Sequence, residues 1–211
     1  MKNLLIIGAG GCGREVLQWA KDINKISKKW NIKGFLDDNP QALDGLICNY
    51  SVVDNIDSYH IENEDEFVCC VGNSATRKNI IDKLKNKGAI FTSIIHPTAI
   101  VADSARLGDS VILYPYSIIS DNAYIGNGCI INMHSTIAHD STIGAYCTIS
   151  AHCDVTGMCH LGKGVFMGSG ARIVPNAKVG NDVFICAGST VMSKIKDGLK
   201  VIGTPAKKAA F

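Results

Sequence analysis

The sequence predicts two units of different fold class, a small α/β unit over residues 1–94 and an all-β coil of short strands over residues 95–211. Three observations lead to this prediction. An aliphatic residue recurs at every sixth position through the C-terminal half. A buried strand, a glycine-rich loop and a helical pattern follow one another near the N-terminus. Strand and helix patterns then alternate up to the start of the repeat, which is typical of an α/β unit.

Composition places the chain among globular proteins, because its 211 residues are 46% hydrophobic and 19% charged. The formal net charge of +2 gives little support to nucleic-acid binding, which favours a basic surplus on one face. No apolar run reaches the roughly 18 residues of a membrane span, and the apolar stretch 4–7 is too short for a signal sequence. We therefore expect a cytoplasmic protein without membrane insertion, whose nine cysteines are thiols.

A repeat of six residues organises the C-terminal half. Steps of six meet seventeen aliphatic residues in succession: Ile95, Val101, Leu107, Leu113, Ile119, Ile125, Ile131, Ile137, Ile143, Ile149, Val155, Leu161, Met167, Ile173, Val179, Ile185 and Val191. A small or slim residue, often Ala, Ser or Cys, follows four positions after each of the first sixteen. This period matches neither a helix nor an alternating strand. We predict short strands cornered at every sixth residue, with the aliphatic side chains inside the coil.

The N-terminal unit has the pattern of a nucleotide-binding fold. Leu4–Ile7 predict a buried strand, Gly8-Ala9-Gly10-Gly11-Cys12-Gly13 form a glycine-rich loop, and the apolar spacing from Arg14 onwards predicts a helix. Such a loop lets the backbone approach a phosphate, which the first N–H groups of the helix can bind. A tight turn without a ligand is the alternative explanation of these glycines.

Two acidic residues end the second predicted strand of this unit. From Asp37 and Asp38 a carboxylate can reach a ribose hydroxyl or a base edge, although the two acids can also simply cap the strand. Two more strands, separated by a helix with Ser74 as its predicted N-cap, complete the unit. About 90 residues are too few for a full dinucleotide domain. A mononucleotide or a nucleotide-linked ligand is therefore favoured over NAD.

His139 is the histidine best placed for proton transfer. It stands two positions after an inward aliphatic residue, at a predicted corner, and Asp140 follows it directly. A neighbouring carboxylate orients an imidazole ring and stabilises its protonated form. The pattern favours a general base, with a solvated turn residue as the alternative.

The six-residue repeat resembles that of the left-handed parallel β-helix acyltransferases, in which three rungs form one triangular coil; a closed homotrimer is the expected assembly. With its Rossmann-like N-terminal unit, the whole chain resembles the bacterial nucleotide-amino-sugar N-acetyltransferases of the PglD type and their sialic acid O-acetyltransferase relatives, the NeuD type. The most specific segment is Ile130–Asn132 with Ile137–Gly144, which is similar to the family's asparagine–histidine–acid stretch.

The resemblance implies roles for residues in three places. His139 is the base that takes a proton from the sugar amine, Asp140 supports it, and Asn132 positions the amine. Acetyl-CoA lies between neighbouring β-helices, along positions that correspond here to Thr148, Gly157, Ser169, Ala187 and Lys207. The nucleotide of the sugar is held at positions that correspond to Gly8, Gly10, Gly13, Asp37 and Asp38. Many members carry a histidine or another polar residue in the glycine loop, where this chain has Cys12.

A metal site finds little support in the sequence. His134 and His152 stand eighteen residues apart at equivalent rung positions, so they should stack on one face, which suits a metal site or mere surface packing. The γ-class carbonic anhydrases share this helix and bind zinc through three histidines. Two of these could correspond to His134 and His139, but the third position, two coils earlier, is Thr98 here, which cannot replace an imidazole. No CxxC pair is present, and four cysteines occupy the small inward position of the repeat as expected core residues: Cys129, Cys147, Cys153 and Cys159. We predict no metal.

These features predict an acetyl-CoA-dependent N-acetyltransferase that acts on the amine of a nucleotide-linked amino-deoxy sugar in bacterial glycan or polysaccharide biosynthesis. Because the same base can activate a hydroxyl, O-acetylation of a sialic acid or another sugar is the first alternative. A non-catalytic trimer that binds nucleotide sugars is the second. The expected partners are the nucleotide-sugar substrate and further copies of the chain, with acetyl-CoA as co-substrate and no nucleic acid.

Overall fold

In the computed structural model, which describes residues 1–210, the chain divides after Ile94 into two units. The first is an α/β unit and the second a parallel β-helix, as the sequence predicts. Among the described residues, neither helix combines the length and the apolar character needed to cross a membrane.

The first unit is a five-stranded parallel sheet with two helices. Its elements are β1 Lys2–Ile7, α1 Gly11–Ile26, β2 Trp30–Leu36, β3 Val52–Asp54, β4 Asp65–Cys69, α2 Ser74–Asn86 and β5 Ile90–Phe91. The sheet order is β3-β2-β1-β4-β5, and every neighbouring pair is parallel. Strand β1 lies in the middle, which is why its residues 4–7 are fully buried. The strand order reverses between β1 and β4, where such sheets bind ligands beyond the carboxyl ends of their strands.

Local features of this unit differ from the prediction. Helix α1 begins at Gly11, earlier than Arg14, because the extended Gly10 is already its N-cap. Ser74 is the first residue of α2 and not its cap, since the side chain of Asn73 accepts the Thr76 N–H at 2.9 Å. Strand β3 escaped prediction because its three residues at the sheet edge are half-buried or exposed and leave no apolar pattern.

The second unit winds two-residue strands around three faces. Face one contains β6 Ile94–Ile95, β9 Ile112–Leu113, β12 Ile130–Ile131, β15 Thr148–Ile149, β18 Phe166–Met167, β21 Phe184–Ile185, β23 Lys200–Ile202 and β24 Lys207–Lys208. Face two contains β7 Ile100–Val101, β10 Ile118–Ile119, β13 Thr136–Ile137, β16 Asp154–Val155, β19 Arg172–Ile173 and β22 Thr190–Val191. Face three contains β8 Arg106–Leu107, β11 Tyr124–Ile125, β14 Thr142–Ile143, β17 His160–Leu161 and β20 Lys178–Val179. The first corner joins face one to face two, the second joins face two to face three, and the third joins face three to face one.

Parallel pairing stacks each coil on the one before it. On face two, for example, Ile119 pairs with Ile137, which pairs in turn with Val155, so partners are eighteen residues apart. The inward aliphatic residues from Leu113 to Val191 are therefore buried in one continuous core. Ile95, also expected inside, is 38% exposed because the first coil has another coil on only one side.

Corners favour residues that tolerate the left-handed backbone conformation. The third position after an inward aliphatic residue has φ near +60° in coil after coil, and asparagine, aspartate or glycine occupies many of these positions. At the third corner the coils also approach closely, since a Cβ at Gly144 would lie 2.5 Å from the Gly162 backbone. The backbone conformation required at each corner therefore explains why these residue types recur at intervals of six.

The cysteines at the small inward position are buried, as predicted. Their thiols donate to backbone carbonyls of the next coil, for example Cys147 Sγ to Gly162 O at 3.1 Å and Cys153 Sγ to Gly168 O at 3.2 Å. Burial raises the pKa of Cys153 to about 11, so this thiol stays protonated at neutral pH. These are packing residues.

Candidate active site

His139 and Asp140 form a hydrogen-bonded pair at the corner after strand β13. His139 Nδ1 lies 2.8 Å from Asp140 Oδ2, and the two side chains are 57% and 51% exposed. The hydrogen bond from His139 holds the pKa of the Asp140 carboxyl below its usual range, so the group is a carboxylate at neutral pH. A carboxylate at Nδ1 favours the tautomer with the proton on Nδ1, which leaves the Nε2 lone pair available as a base.

Polar residues of the preceding coil support this pair. Asn122 stands eighteen positions before Asp140, and its Nδ2 donates to Asp140 Oδ1 at 3.4 Å. The Asn122 N–H donates in turn to Ser104 Oγ at 2.9 Å, and the Asp140 N–H to Asp121 O at 3.0 Å. Sequence reasoning missed Asn122, although the eighteen-residue coil length would have found it.

The coil after His139 leaves room for the imidazole ring. Gly157 lies eighteen positions further on, and a Cβ there would stand 2.6 Å from His139 Nε2. The Met158 N–H donates to His139 O at 3.0 Å and fixes the backbone. Within residues 1–210 the Gly157 N–H itself donates to no acceptor. A free N–H donor therefore lies close to the basic nitrogen.

Asn132 lies at the first corner, one face away from His139. It is half-buried, and its Oδ1 accepts the Met133 N–H at 2.7 Å. Strand β13, on face two, separates Asn132 from His139 along the chain. A single chain thus places the two predicted catalytic residues at different corners.

The positions predicted for acetyl-CoA also fall into separate groups. Gly157 is at the second corner, with His139. Ser169 and Ala187 are at the first corner, Thr148 lies in β15 on face one, and the exposed Lys207 lies in β24 at the end of that face. Gly170 and Gly188 stand beside Ser169 and Ala187, and a Cβ at either glycine would have no atom within 4 Å. The backbone of this part of the first corner is therefore accessible to a ligand.

Below these glycines the first corner carries a stack of rings. The ring centroids of His134 and His152 are 5.1 Å apart with an interplanar angle of 3°, and Tyr116 stacks on His134 at 5.1 Å and 12°. The predicted stacking of the two histidines is confirmed. Among residues 1–210, no group of three or more His, Cys, Asp or Glu side chains is arranged to hold a metal ion.

The glycine loop of the first unit lies between β1 and α1, at the carboxyl edge of the sheet. Gly8 has φ +92°, and a Cβ on Gly13 would collide with the Gly8 carbonyl, so both positions require glycine. Asp37 braces the loop, because its Oδ2 accepts the Ala9 N–H at 2.7 Å. Asp38 Oδ1 accepts the Ile56 N–H at 3.2 Å. Each carboxylate retains acceptor capacity for a ligand.

Comparison with known proteins relates both units to bacterial transferases. Residues 3–84 match the PglD N-terminal domain, and residues 122–157 match the bacterial transferase hexapeptide repeat. A UDP-N-acetylbacillosamine N-acetyltransferase of Bacillus subtilis (strain 168) is 29% identical over 114 residues, which are 53% of this chain and 51% of that protein. The match thus spans about half the length of that curated relative.

Solved structures match over nearly the whole chain. The acetyltransferase domain of PglB from Neisseria gonorrhoeae FA1090 superposes with a TM-score of 0.91 at 27% identity, covering 99% of this chain and 100% of that one. The same domain in complex with acetyl coenzyme A gives 0.89 at 28% identity, covering 99% of each chain. PerB from Caulobacter crescentus, solved in complex with CoA and GDP-perosamine, gives 0.90 at 25% identity, covering 100% of this chain and 98% of that one.

Proposed function

We propose that this chain, which matches the PglD N-terminal domain and the bacterial transferase hexapeptide repeat, is an acetyl-CoA-dependent N-acetyltransferase whose acceptor is the amine of a nucleotide-linked amino sugar. The observation that carries the proposal is the His139–Asp140 pair on an exposed corner of the β-helix. The similar structures solved with acetyl coenzyme A, or with CoA and GDP-perosamine, support the choice of both substrates. The product, an acetamido sugar nucleotide, suits bacterial glycan assembly in the cytoplasm.

In the proposed reaction His139 Nε2 takes the proton of the amine as the nitrogen attacks the thioester carbonyl. Asp140 stabilises the imidazolium that forms, and the imidazolium then returns the proton to the departing CoA thiolate. The Gly157 N–H is suited to hold the negative oxygen of the tetrahedral intermediate, because it is unpaired and close to His139. No cysteine nucleophile is required.

The separation of the predicted site residues over two corners supports a site shared between copies of the chain. Asn132, Ser169 and Ala187 lie at the first corner, whereas His139 and Gly157 lie at the second. In a ring of three chains, the second corner of one copy can face the first corner of the next. We propose that a homotrimer completes the site in this way, with acetyl-CoA between neighbouring copies and Lys207 near its phosphates.

The glycine loop is proposed to bind the nucleotide of the acceptor. The first N–H groups of α1 and the exposed Gly10 suit a phosphate, and the close packing of Gly8 against Gly13 holds the loop in shape. Asp37 contributes partly by holding the glycine loop in place through its hydrogen bond with the Ala9 N–H. The remaining lone pairs of Asp37 and Asp38 are available to the ribose or the base.

Mass spectrometry of the product tests the proposed function directly. The purified protein is incubated with acetyl-CoA and a panel of UDP-, GDP- and dTDP-linked amino sugars, and products are fragmented to locate the acetyl group. An acetamide on the sugar is the expected product. An ester on a hydroxyl would indicate the O-acetyltransferase instead. Nucleotide-sugar binding without any transfer would indicate a non-catalytic trimer.

A further inference from the structure

A column of three stacked rings runs along the first corner of the β-helix. Its members, Tyr116, His134 and His152, follow one another at intervals of eighteen residues, which is one coil. All three have φ near +60°, so their side chains leave the backbone in the same direction. His134 is exposed, and no group in the described part of the chain hydrogen-bonds its ring nitrogens. The middle ring of the column therefore has two polar atoms available.

Stacking fixes the orientation of the His134 ring. Its plane makes an angle of 12° with the ring of Tyr116 and 3° with the ring of His152, each at a centroid distance of 5.1 Å. The two ring faces are therefore covered by the rings of the adjacent coils. The ring edge, which carries both nitrogens, points sideways out of the column. A neutral imidazole presents one hydrogen-bond donor and one acceptor at this edge.

His134 stands at nearly the same height along the β-helix as His139. One coil of eighteen residues rises about 4.8 Å, so the difference in height is about 1.3 Å, against about 1.9 Å between Asn132 and His139. In a ring of three chains closed by rotation about an axis parallel to the β-helix, every residue keeps its height. If the first corner of one copy faces the second corner of the next, the free edge of His134 therefore faces the neighbouring His139–Asp140 pair.

The direction of the chain distinguishes the two substrates at this site. The positions proposed for acetyl-CoA all follow His139, so they lie at its height or on coils towards the C-terminal end. Asn132 and His134 precede His139, and Tyr116 lies one further coil towards the N-terminal end. Acetyl-CoA on the C-terminal side of His139 leaves the opposite side to the acceptor sugar. His134 is therefore next to the acceptor and not to the cofactor.

We propose that His134 of one copy binds the acceptor sugar in the active site of the next, through a hydrogen bond from its ring edge to the hydroxyl beside the reacting amine. This inference rests on the proposed function and on the sharing of the site between copies. It adds a substrate class, namely amino sugars with a free hydroxyl on the carbon next to the amine. Such a hydroxyl can donate to one ring nitrogen or accept from the other.

Photo-cross-linking tests the placement of His134 without any acceptor. p-Benzoylphenylalanine is placed at position 134 of the whole chain, because Tyr116 shows that an aromatic side chain fits this corner. Irradiation should join pairs of chains, with the attachment located by fragmentation close to His139 of the other copy. The same probe in place of the exposed Asp182, on the third corner, should join none. Trimers whose position-134 probe attaches elsewhere, or to no other chain, would overturn the proposal. A protein that forms no trimer would overturn the shared site as well.

Kinetics of His134→Phe test the hydrogen bond, because this variant keeps a stacking ring and removes both nitrogens. The acceptor is whichever of the UDP-, GDP- and dTDP-linked amino sugars the protein acetylates. Its KM should rise about three- to tenfold, while kcat and the KM for acetyl-CoA stay nearly the same, since binding alone is lost. His160→Ala, which removes an exposed histidine on face three, should change none of these values. An equal melting temperature in all three proteins controls for folding.

An acceptor analogue without the hydroxyl identifies the group that His134 binds. With the unmodified enzyme the analogue should lose the same factor in KM as the variant does, and with His134→Phe it should lose nothing further. An unchanged KM in the variant, or two losses that multiply, would contradict the hydrogen bond and leave amine acetylation intact. If none of the amino sugars is acetylated, the proposed function fails together with this bond, and the cross-link still decides the placement.

Discussion

At the scale of single residues, two hydrogen bonds position His139: one joins its Nδ1 to Asp140, and the other joins its backbone carbonyl to the Met158 N–H. The missing Cβ of Gly157 leaves room for the imidazole ring. Replacing His139 by alanine should lower kcat by about 10²- to 10⁴-fold, the usual effect of removing a positioned base. Steady-state kinetics with acetyl-CoA and the acceptor measure this, and an unchanged melting temperature controls for folding. Turnover near that of the unmodified enzyme would show that His139 is not the base.

Gly157→Ala tests whether the free space is needed for the ring. The new methyl group would stand 2.6 Å from His139 Nε2, so the imidazole must rotate away from its place beside Asp140. We expect kcat to fall at least about tenfold, because small displacements of a catalytic group cost that much. Thermal unfolding is the control, since a much lower melting temperature would mean that the loss of activity comes from misfolding. Full activity in a stable variant would contradict the proposed position of the His139 ring.

Asp140→Asn tests the electrostatic half of the pair. The pKa of the Asp140 carboxyl is lowered, so its support of His139 is complete above the usual aspartate range and is lost only when the pH falls through the lowered value. Protonation of Asp140 should therefore not limit activity between about pH 5 and 8. In Asp140→Asn, kcat should drop at least about tenfold at every pH in that range, because an amide cannot stabilise the imidazolium. A pH–rate profile that matches the unmodified enzyme would contradict this role.

Adjacency in the sequence decided which of these residues could be predicted. His139 and Asp140 are neighbours, so the pair is visible without any structure. Asn122 and Gly157 act from the coils before and after, and their contacts appear only once the eighteen-residue pairing of the coils is known.

At the scale of elements, the β-helix was the more predictable unit because every coil repeats the same pattern of residue types. An inward aliphatic residue, a small residue and a left-handed corner residue are all encoded within six positions, so no distant contact is needed. The α/β unit depends more on tertiary context. Either Asn73 or Ser74 can cap a helix, and only the structure shows that Asn73 does so.

A comparison of Ile137 with Ile95 tests whether burial of the inward aliphatic residues stabilises the β-helix. Ile137 is fully buried on face two, whereas Ile95 is 38% exposed on the first coil. Ile137→Ala should lower the free energy of unfolding by about 2–5 kcal/mol, and Ile95→Ala by only about 1 kcal/mol, because little apolar surface is lost there. Urea unfolding at one fixed protein concentration measures both. Equal effects would contradict the burial pattern of the β-helix.

At the scale of the whole molecule, the proposed active site requires more than one chain. The proposed base lies at the second corner and the proposed amine-positioning residue, Asn132, at the first, with face two between them. We therefore propose that the isolated chain holds two half-sites, and that in the assembly one copy supplies His139 and its neighbour supplies Asn132.

Complementation between two inactive variants measures this sharing. His139→Ala and Asn132→Ala chains are co-expressed with different affinity tags, mixed trimers are purified through both tags, and acetyl transfer is assayed by mass spectrometry. Each variant alone should be nearly inactive, and mixed trimers should recover about a third of the unmodified activity, since one interface in three joins an intact His139 to an intact Asn132. Mixed trimers that assemble and remain as inactive as the single variants would show that each chain carries its own complete site.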